Sequence, residues 1–213
     1  MKLLLTSWGI TNQKIENALI DLVGKRLEDC TLVFIPTAAN AERWDKSWLI
    51  NDLVNLKKLW FKSIEITDFT AINEEIYLES FLNADILFFE WWNTWYLMKQ
   101  INKLKLRNKF KEFLENKIYV WVSAWSMITS RDLQIELFDE LYDEDSILNE
   151  NIKWLDFVNF SFLPHLNSTF FPKIKEENVQ KVANKIKNKL YVNCPLKSRV
   201  KIKNTLLFLH YKN

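Results

Sequence analysis

Ser123 and the two histidines, His165 and His210, are the residues of this chain whose types and surroundings suit covalent chemistry. Ser123 lies in Trp121-Val122-Ser123-Ala124-Trp125. A short apolar, β-prone run, Lys117-Ile118-Tyr119-Val120, precedes it, and Ser126-Met127-Ile128-Thr129-Ser130, which can begin a helix, follows. A serine lifted on a sharp turn between a buried strand and a helix is a nucleophile elbow, and its hydroxyl attacks a carbonyl once a base takes the proton. That turn ordinarily needs glycine two residues before and two after the serine, since neighbouring side chains collide there. Both places hold tryptophan. His165 follows a strand-like run and Pro164, in a polar loop from which an imidazole could face such a site. His210 lies in an apolar segment near the C-terminus.

The elements that must carry this turn alternate along the chain. Short apolar strands are predicted at Lys2–Thr6, Thr31–Ile35, 63–67, 85–89 and 117–122. Helices are predicted at 12–27, capped by Thr11 or Asn12, at 45–59 with Trp48, Leu49, Leu53 and Leu56 on one face, at 74–82, and as one long helix over 94–115. This rhythm implies an α/β fold: a doubly wound, mostly parallel sheet with helices on both faces. Ligands of such sheets bind beyond the carboxyl ends of the strands, here the loops 7–12, 37–43, 90–93 and 122–126. The second half is less regular, with an acidic stretch over 131–150, a strand-like run over 155–163, a charged helix over 175–189 and weak strand signals in a basic tail. With 213 residues, no internal repeat and no linker, the chain reads as one domain.

Composition excludes several functions. The net charge is +2 with both signs interleaved, so nothing calls for nucleic acid or an anionic membrane. The run Lys99, Lys103, Lys105, Arg107, Lys109 and Lys111 reads as a solvated helix face. No apolar run approaches the ~20 residues of a membrane span, and the N-terminus lacks a signal-peptide layout. Cys30 and Cys194 form no metal-type pair, which fits a reduced, cytoplasmic compartment. No glycine-rich phosphate loop follows the first strand, which argues against nucleotide binding. The expectation is a monomer or homodimer acting on a small substrate without metal or cofactor.

Two counts are abnormal. Glycine occurs twice, where average usage of about 7% gives roughly fifteen, and tryptophan occurs ten times. Trp48 and Trp95 sit inside helices among apolar residues, whereas Trp8, Trp44, Trp60, Trp91, Trp92, Trp121, Trp125 and Trp154 sit where the fold needs turns or caps. Read as glycine, those eight leave an ordinary ten glycines and two tryptophans. Lys supplies 24 of the 29 basic residues, as in the product of an AT-rich gene. Some bacteria read UGA as glycine, and reading such codons as tryptophan would produce this pattern.

The motifs resemble those of the dipeptidase E / cyanophycinase family of serine peptidases. Phe88-Phe89-Glu90-Trp91-Trp92-Asn93-Thr94 is similar to the family's Gly-Gly-Asn-Thr loop, Val120 to Ser126 to its Gly-x-Ser-Ala-Gly elbow, and Phe162-Leu163-Pro164-His165 to its Pro-His segment. Leu3 to Gly9 and Phe34 to Ala38 resemble its early strands, and the likeness runs in order to about residue 190. The resemblance implies a fold like that of class I glutamine amidotransferases, a flavodoxin-like three-layer sandwich. It implies hydrolysis of small peptides, often after an N-terminal aspartate, or of the polymer cyanophycin. Ser123 would be the nucleophile and His165 the general base. A carboxylate between them would orient the imidazole: Asp139 is preferred, with Glu136 and Glu140 close behind. Backbone amides of Ala124 and Trp92 would hold the oxyanion. An acidic substrate would call for a cation, and Arg43, Arg131 and Lys173 are candidates. Serine at the elbow disfavours amidotransfer, which uses cysteine there. If the tryptophans at 91, 92, 121 and 125 are real, the alternative is a catalytically inactive domain with a binding or structural role.

Overall fold

The computed structural model describes residues 2–41, 43–113, 116–131, 141–142, 153–183 and 189–192. Strands β1 (Lys2–Thr6), β2 (Thr31–Ile35), β3 (Ser63–Ile66), β4 (Ile86–Phe89) and β5 (Ile118–Val122) form one sheet in the order β1-β5-β4-β2-β3. Every pairing in it is parallel. The strand predictions therefore hold to within a residue at either end.

Side chains alternate between the two faces, as a period of two requires. Leu4, Leu32, Phe34, Ile86, Phe88, Val120 and Val122 form one core with Ile15 and Leu19 of α1 (Gln13–Val23) and Leu56 of α2 (Ser47–Lys57). Leu5, Val33, Ile35, Leu87, Phe89, Tyr119 and Trp121 form the other. That second core takes in Tyr77 and Phe81 of α3 (Glu74–Asn83), Leu97 and Ile101 of α4 (Thr94–Lys103) and Phe110 of α5 (Leu106–Phe113). Both faces are covered by helices, the three-layer arrangement expected of continuous apolar parallel strands. Because the strands run in one direction, Ser7, Glu90 and Ser123, which follow β1, β4 and β5, emerge at the same edge.

Local chemistry sets the helix boundaries. Asn12 caps α1, its side chain accepting from the Lys14 and Ile15 amides at 2.9 and 3.2 Å. Gly24 closes it in the left-handed conformation, with φ 71°. Asn93 caps α4 by accepting from the Tyr96 amide at 2.8 Å. The long helix predicted over 94–115 is two helices, broken where Lys105 takes φ 53°. The break turns the second apolar stripe inward, so that Leu106 and Phe110 are fully buried. Trp60 ends the α2 region with φ 57° while 77% of it faces solvent. A side chain there gains little packing and carries the left-handed cost of roughly 1–2 kcal/mol. Trp60→Gly is expected to raise unfolding stability by about 1 kcal/mol in a denaturant titration.

The predicted strand over 155–163 is shorter. Only β6 (Phe160–Leu163) is regular, and it pairs with β7 (Lys189–Val192) in a separate parallel ribbon. Upstream, the Leu155 and Phe157 amides donate to Ile128 and Thr129 carbonyls at 3.1 and 2.8 Å, with Asp156 at φ 55° between them. These amides are satisfied by the segment after the elbow, where Ser130 and Val158 form a single parallel bridge in place of a ladder. The charged helix predicted over 175–189 is present as α7 (Glu176–Ala183), while 184–188 lie outside the described residues and Lys189 already belongs to β7. Most of the acidic stretch, Cys194 and the basic tail with His210 lie outside the described residues.

Candidate active site

Ser123 sits between β5 and the short helix α6 (Ala124–Ile128), with φ 50° and ψ −110°. A non-glycine residue there stores on the order of 1–3 kcal/mol, which the surroundings must offset. The Ser123 amide donates to the Thr6 carbonyl at 2.9 Å, tying the elbow to the end of β1. Ser126, three residues on, donates its hydroxyl toward the Trp121 carbonyl at 2.6 Å and the Thr6 carbonyl at 3.1 Å, and accepts from the Thr6 amide at 3.2 Å. A buried polar cluster thus locks the turn and directs the Ser123 hydroxyl outward from the strand end.

His165 reaches that hydroxyl. Its Nε2 lies 2.6 Å from Ser123 Oγ. It stands just after β6 and Pro164 with φ 70°, and its own amide donates to Ser7 Oγ at 3.2 Å. Phe171 stacks on the imidazole with ring centroids 4.5 Å apart and planes 21° off parallel, and Trp8 covers it from 4.2 Å. The Tyr142 hydroxyl donates to the Pro164 carbonyl at 3.0 Å, fixing the loop from a further side. This burial disfavours the imidazolium and pushes the His165 pKa down to about 3. Nδ1 is buried and meets no hydrogen-bond partner among the described residues. Asp139, Glu136 and Glu140 all lie outside those residues.

A cavity of about 170 Å³ opens beside the serine, lined by Trp91, Trp92, Thr94, Ala124, Met127, Tyr142 and Phe171 among others. Ala124 follows the nucleophile as the first residue of α6, where helix amides have no intrahelical acceptor. Trp92 borders the same cavity with φ 151°, a region held essentially by glycine, and its indole stacks on Trp48 at 5.2 Å. Trp121 and Trp125 do not crowd the serine, contrary to what their positions suggest. Both are fully buried in the second core against Phe89, at 4.6 and 4.2 Å, and neither lines the cavity. Alternation along β5 explains this for Trp121, which faces away from Val120 and Val122. Their indole Nε1 groups are buried and meet no partner among the described residues.

None of Arg43, Arg131 and Lys173 borders the cavity, and Arg131 is taken up by Asp156 at 3.0 Å. Among the described residues no group of three His, Cys, Asp or Glu could hold a metal ion, and no helix is long and apolar enough to cross a membrane. Sequence reasoning overlooked one pair of carboxyls, Glu90 at the end of β4 and Asp52 on α2. An acid just before a turn carries no signal of burial in sequence alone.

A parallel α/β sheet with a strained serine on a strand–helix elbow and a histidine within hydrogen-bond reach defines a serine hydrolase of the elbow type. Comparison with known proteins makes this specific: the model of peptidase family S51 matches residues 3–194, and the chain belongs to that family. It is accordingly a serine-type peptidase. Among solved structures, a candidate peptidase E protein from Listeria monocytogenes EGD-e is similar, with TM-score 0.72 and 23% identity over 90% of each chain. A peptidase from an acI-B1 actinobacterium is similar with TM-score 0.59 and 15% identity, over 90% of this chain and 79% of the other. A search of curated protein sequences finds no match.

Proposed function

We propose that this peptidase hydrolyses small peptides through an acyl-enzyme, with Ser123 as nucleophile and His165 as general base. The observation that carries the reading is the 2.6 Å approach of Ser123 Oγ to His165 Nε2 over an open cavity. Nε2 takes the hydroxyl proton as Oγ bonds to the substrate carbonyl carbon, and the carbonyl oxygen becomes an oxyanion. The Ala124 and Trp92 amides are its donors in this reading. His165 then returns the proton to the leaving amine, and water releases the acyl group by the same steps in reverse.

A carboxylate from 132–140 belongs at Nδ1, the one polar atom of the pair without a partner among the described residues. Asp139 is retained as first choice. Asp139→Asn is expected to lower kcat by about 10⁴-fold, with smaller losses for Glu136→Gln and Glu140→Gln. Equal losses at all three would remove Asp139 from the triad.

On substrate class, no lysine or arginine borders the cavity among the described residues, and its walls are mostly aromatic. An apolar side chain beside the scissile bond therefore fits this pocket better than an N-terminal aspartate. A cytoplasmic location is part of the same proposal, in keeping with Cys30, a free buried thiol. The test is labelling of the folded protein by a fluorophosphonate across pH. Burial lowers the His165 pKa and a carboxylate at Nδ1 would raise it again, so labelling is expected to fall on the acid side with a midpoint that moves down in Asp139→Asn. Absence of labelling in a folded sample would leave a non-catalytic binding domain as the reading.

A further inference from the structure

Glu90 is fully buried at the carboxyl end of β4, one residue before the loop that borders the cavity. Its Oε1 accepts the Trp91 amide at 3.1 Å. Its Oε2 is buried with no hydrogen-bond partner among the described residues, and Asp52, from α2, is the neighbouring carboxyl that acts on it. Residue 91 is therefore held at its backbone amide by the Glu90 carboxyl. We infer that Glu90, bonded to the Trp91 amide and backed by Asp52, is a positioning residue that sets the direction of the next amide, that of Trp92. The inference rests on the mechanism proposed above, in which that amide faces the oxyanion.

The pair works only while it shares a proton. Burial and the Asp52 charge hold the Glu90 carboxyl well above the ordinary glutamate range, and burial raises Asp52 to about 6. Among the described residues Asp52 is the titratable group that acts on Glu90, and the Trp91 amide is its other polar neighbour. Protonated Glu90 sets no charge against Asp52 and still accepts from the Trp91 amide at Oε1. Loss of the last proton leaves two neighbouring anions, the Glu90 carboxylate fully buried, and their repulsion pushes Glu90 off the amide. Both folded-state pKa values are raised, so the folded chain holds more protons than the unfolded one above about pH 4. The contribution to stability accordingly declines as pH rises through the pair's range.

Three variants and three readouts test this. Hydrogen–deuterium exchange of the peptide covering 90–93 reads the grip on the loop without reference to activity, and the fluorophosphonate labelling rate reads its consequence. Glu90→Ala is expected to speed exchange of the Trp91 amide about tenfold and to slow labelling by a similar factor. Glu90→Gln, which keeps a carbonyl acceptor, is expected to rescue both relative to alanine. Glu90→Gln and Asp52→Asn are each expected to flatten the alkaline fall of the thermal midpoint seen in the parent. Exchange in Glu90→Ala equal to the parent overturns the inference, as does an alkaline fall unchanged in Glu90→Gln. Should Glu90→Ala not fold, the Glu90→Gln and Asp52→Asn pH profiles decide alone. A parent that shows the exchange effect but no labelling overturns the peptidase mechanism and leaves the loop contact standing.

Discussion

Replacing Ser123 by alanine is expected to abolish fluorophosphonate labelling and to lower peptide hydrolysis by at least about 10⁴-fold. The folded state should survive the change. Ser123 Oγ contributes one hydrogen bond, to His165, and the strained φ of 50° is no worse for alanine than for serine. The contrast is Ser126, three residues away and equally buried. Its hydroxyl serves the Trp121 and Thr6 carbonyls and the Thr6 amide; the carbonyls keep the Thr6 hydroxyl and the Ser123 amide as donors, so Ser126→Ala strips its acceptor from the Thr6 amide and is expected to cost about 1–3 kcal/mol of stability. Peptide mapping of the labelled protein should therefore find the probe on Ser123. Label on Ser126, or undiminished hydrolysis in Ser123→Ala, would sink the assigned nucleophile. His165 adds a stability signature of its own. Its folded pKa is depressed, so the unfolded chain binds more protons between about pH 3 and 6.5, and stability falls as pH drops through that window.

The nucleophile and its sheet were legible because they rest on short-range signals. Apolar runs such as Leu32 to Ile35 and Ile86 to Phe89 are buried on both faces and announce parallel strands, and Asn12 and Asn93 announce helix starts. The break at Lys105 was not legible, since neither glycine nor proline marks it and tertiary packing of Leu106 and Phe110 decides it. The partnership of Ser123 with His165 spans 42 residues and was reached through motif resemblance, not periodicity. The Glu90–Asp52 contact joins a strand end to a helix across the sheet edge, and no spacing rule connects positions that far apart. Trp121 and Trp125 were misjudged because the elbow motif speaks of collisions near the serine. The parallel sheet instead sends both indoles to its other side.

Trp92→Gly is expected to raise the acylation rate by about 10²-fold, the value of one oxyanion donor brought into line. Trp92 holds φ 151°, where a side chain is strained in any surroundings and glycine is not. Its indole is kept there by stacking on Trp48, and it narrows the cavity that the substrate carbonyl must enter. Glycine would release the strain, widen the cavity and let the amide settle toward Ser123. The Trp92→Gly/Ser123→Ala double variant should remain unlabelled, which separates a restored site from a merely loosened one. An unchanged rate in Trp92→Gly would mean that this amide is not a donor. The same reasoning bears on the natural protein. Of the eight turn-position tryptophans, Trp60 and Trp92 have the positive φ that favours glycine, Trp44 and Trp60 are mostly exposed, and Trp121 and Trp125, like Trp48, bury indole N–H groups that meet no partner among the described residues. The positive φ at Trp60 and Trp92 costs free energy that glycine at the same position would not. Peptide mass spectrometry of the protein from its own cells is therefore expected to find glycine at the eight positions and tryptophan at 48 and 95. Tryptophan at all ten would mean that the strain at residue 92 belongs to the living enzyme, and that its oxyanion loop works, if at all, against that cost.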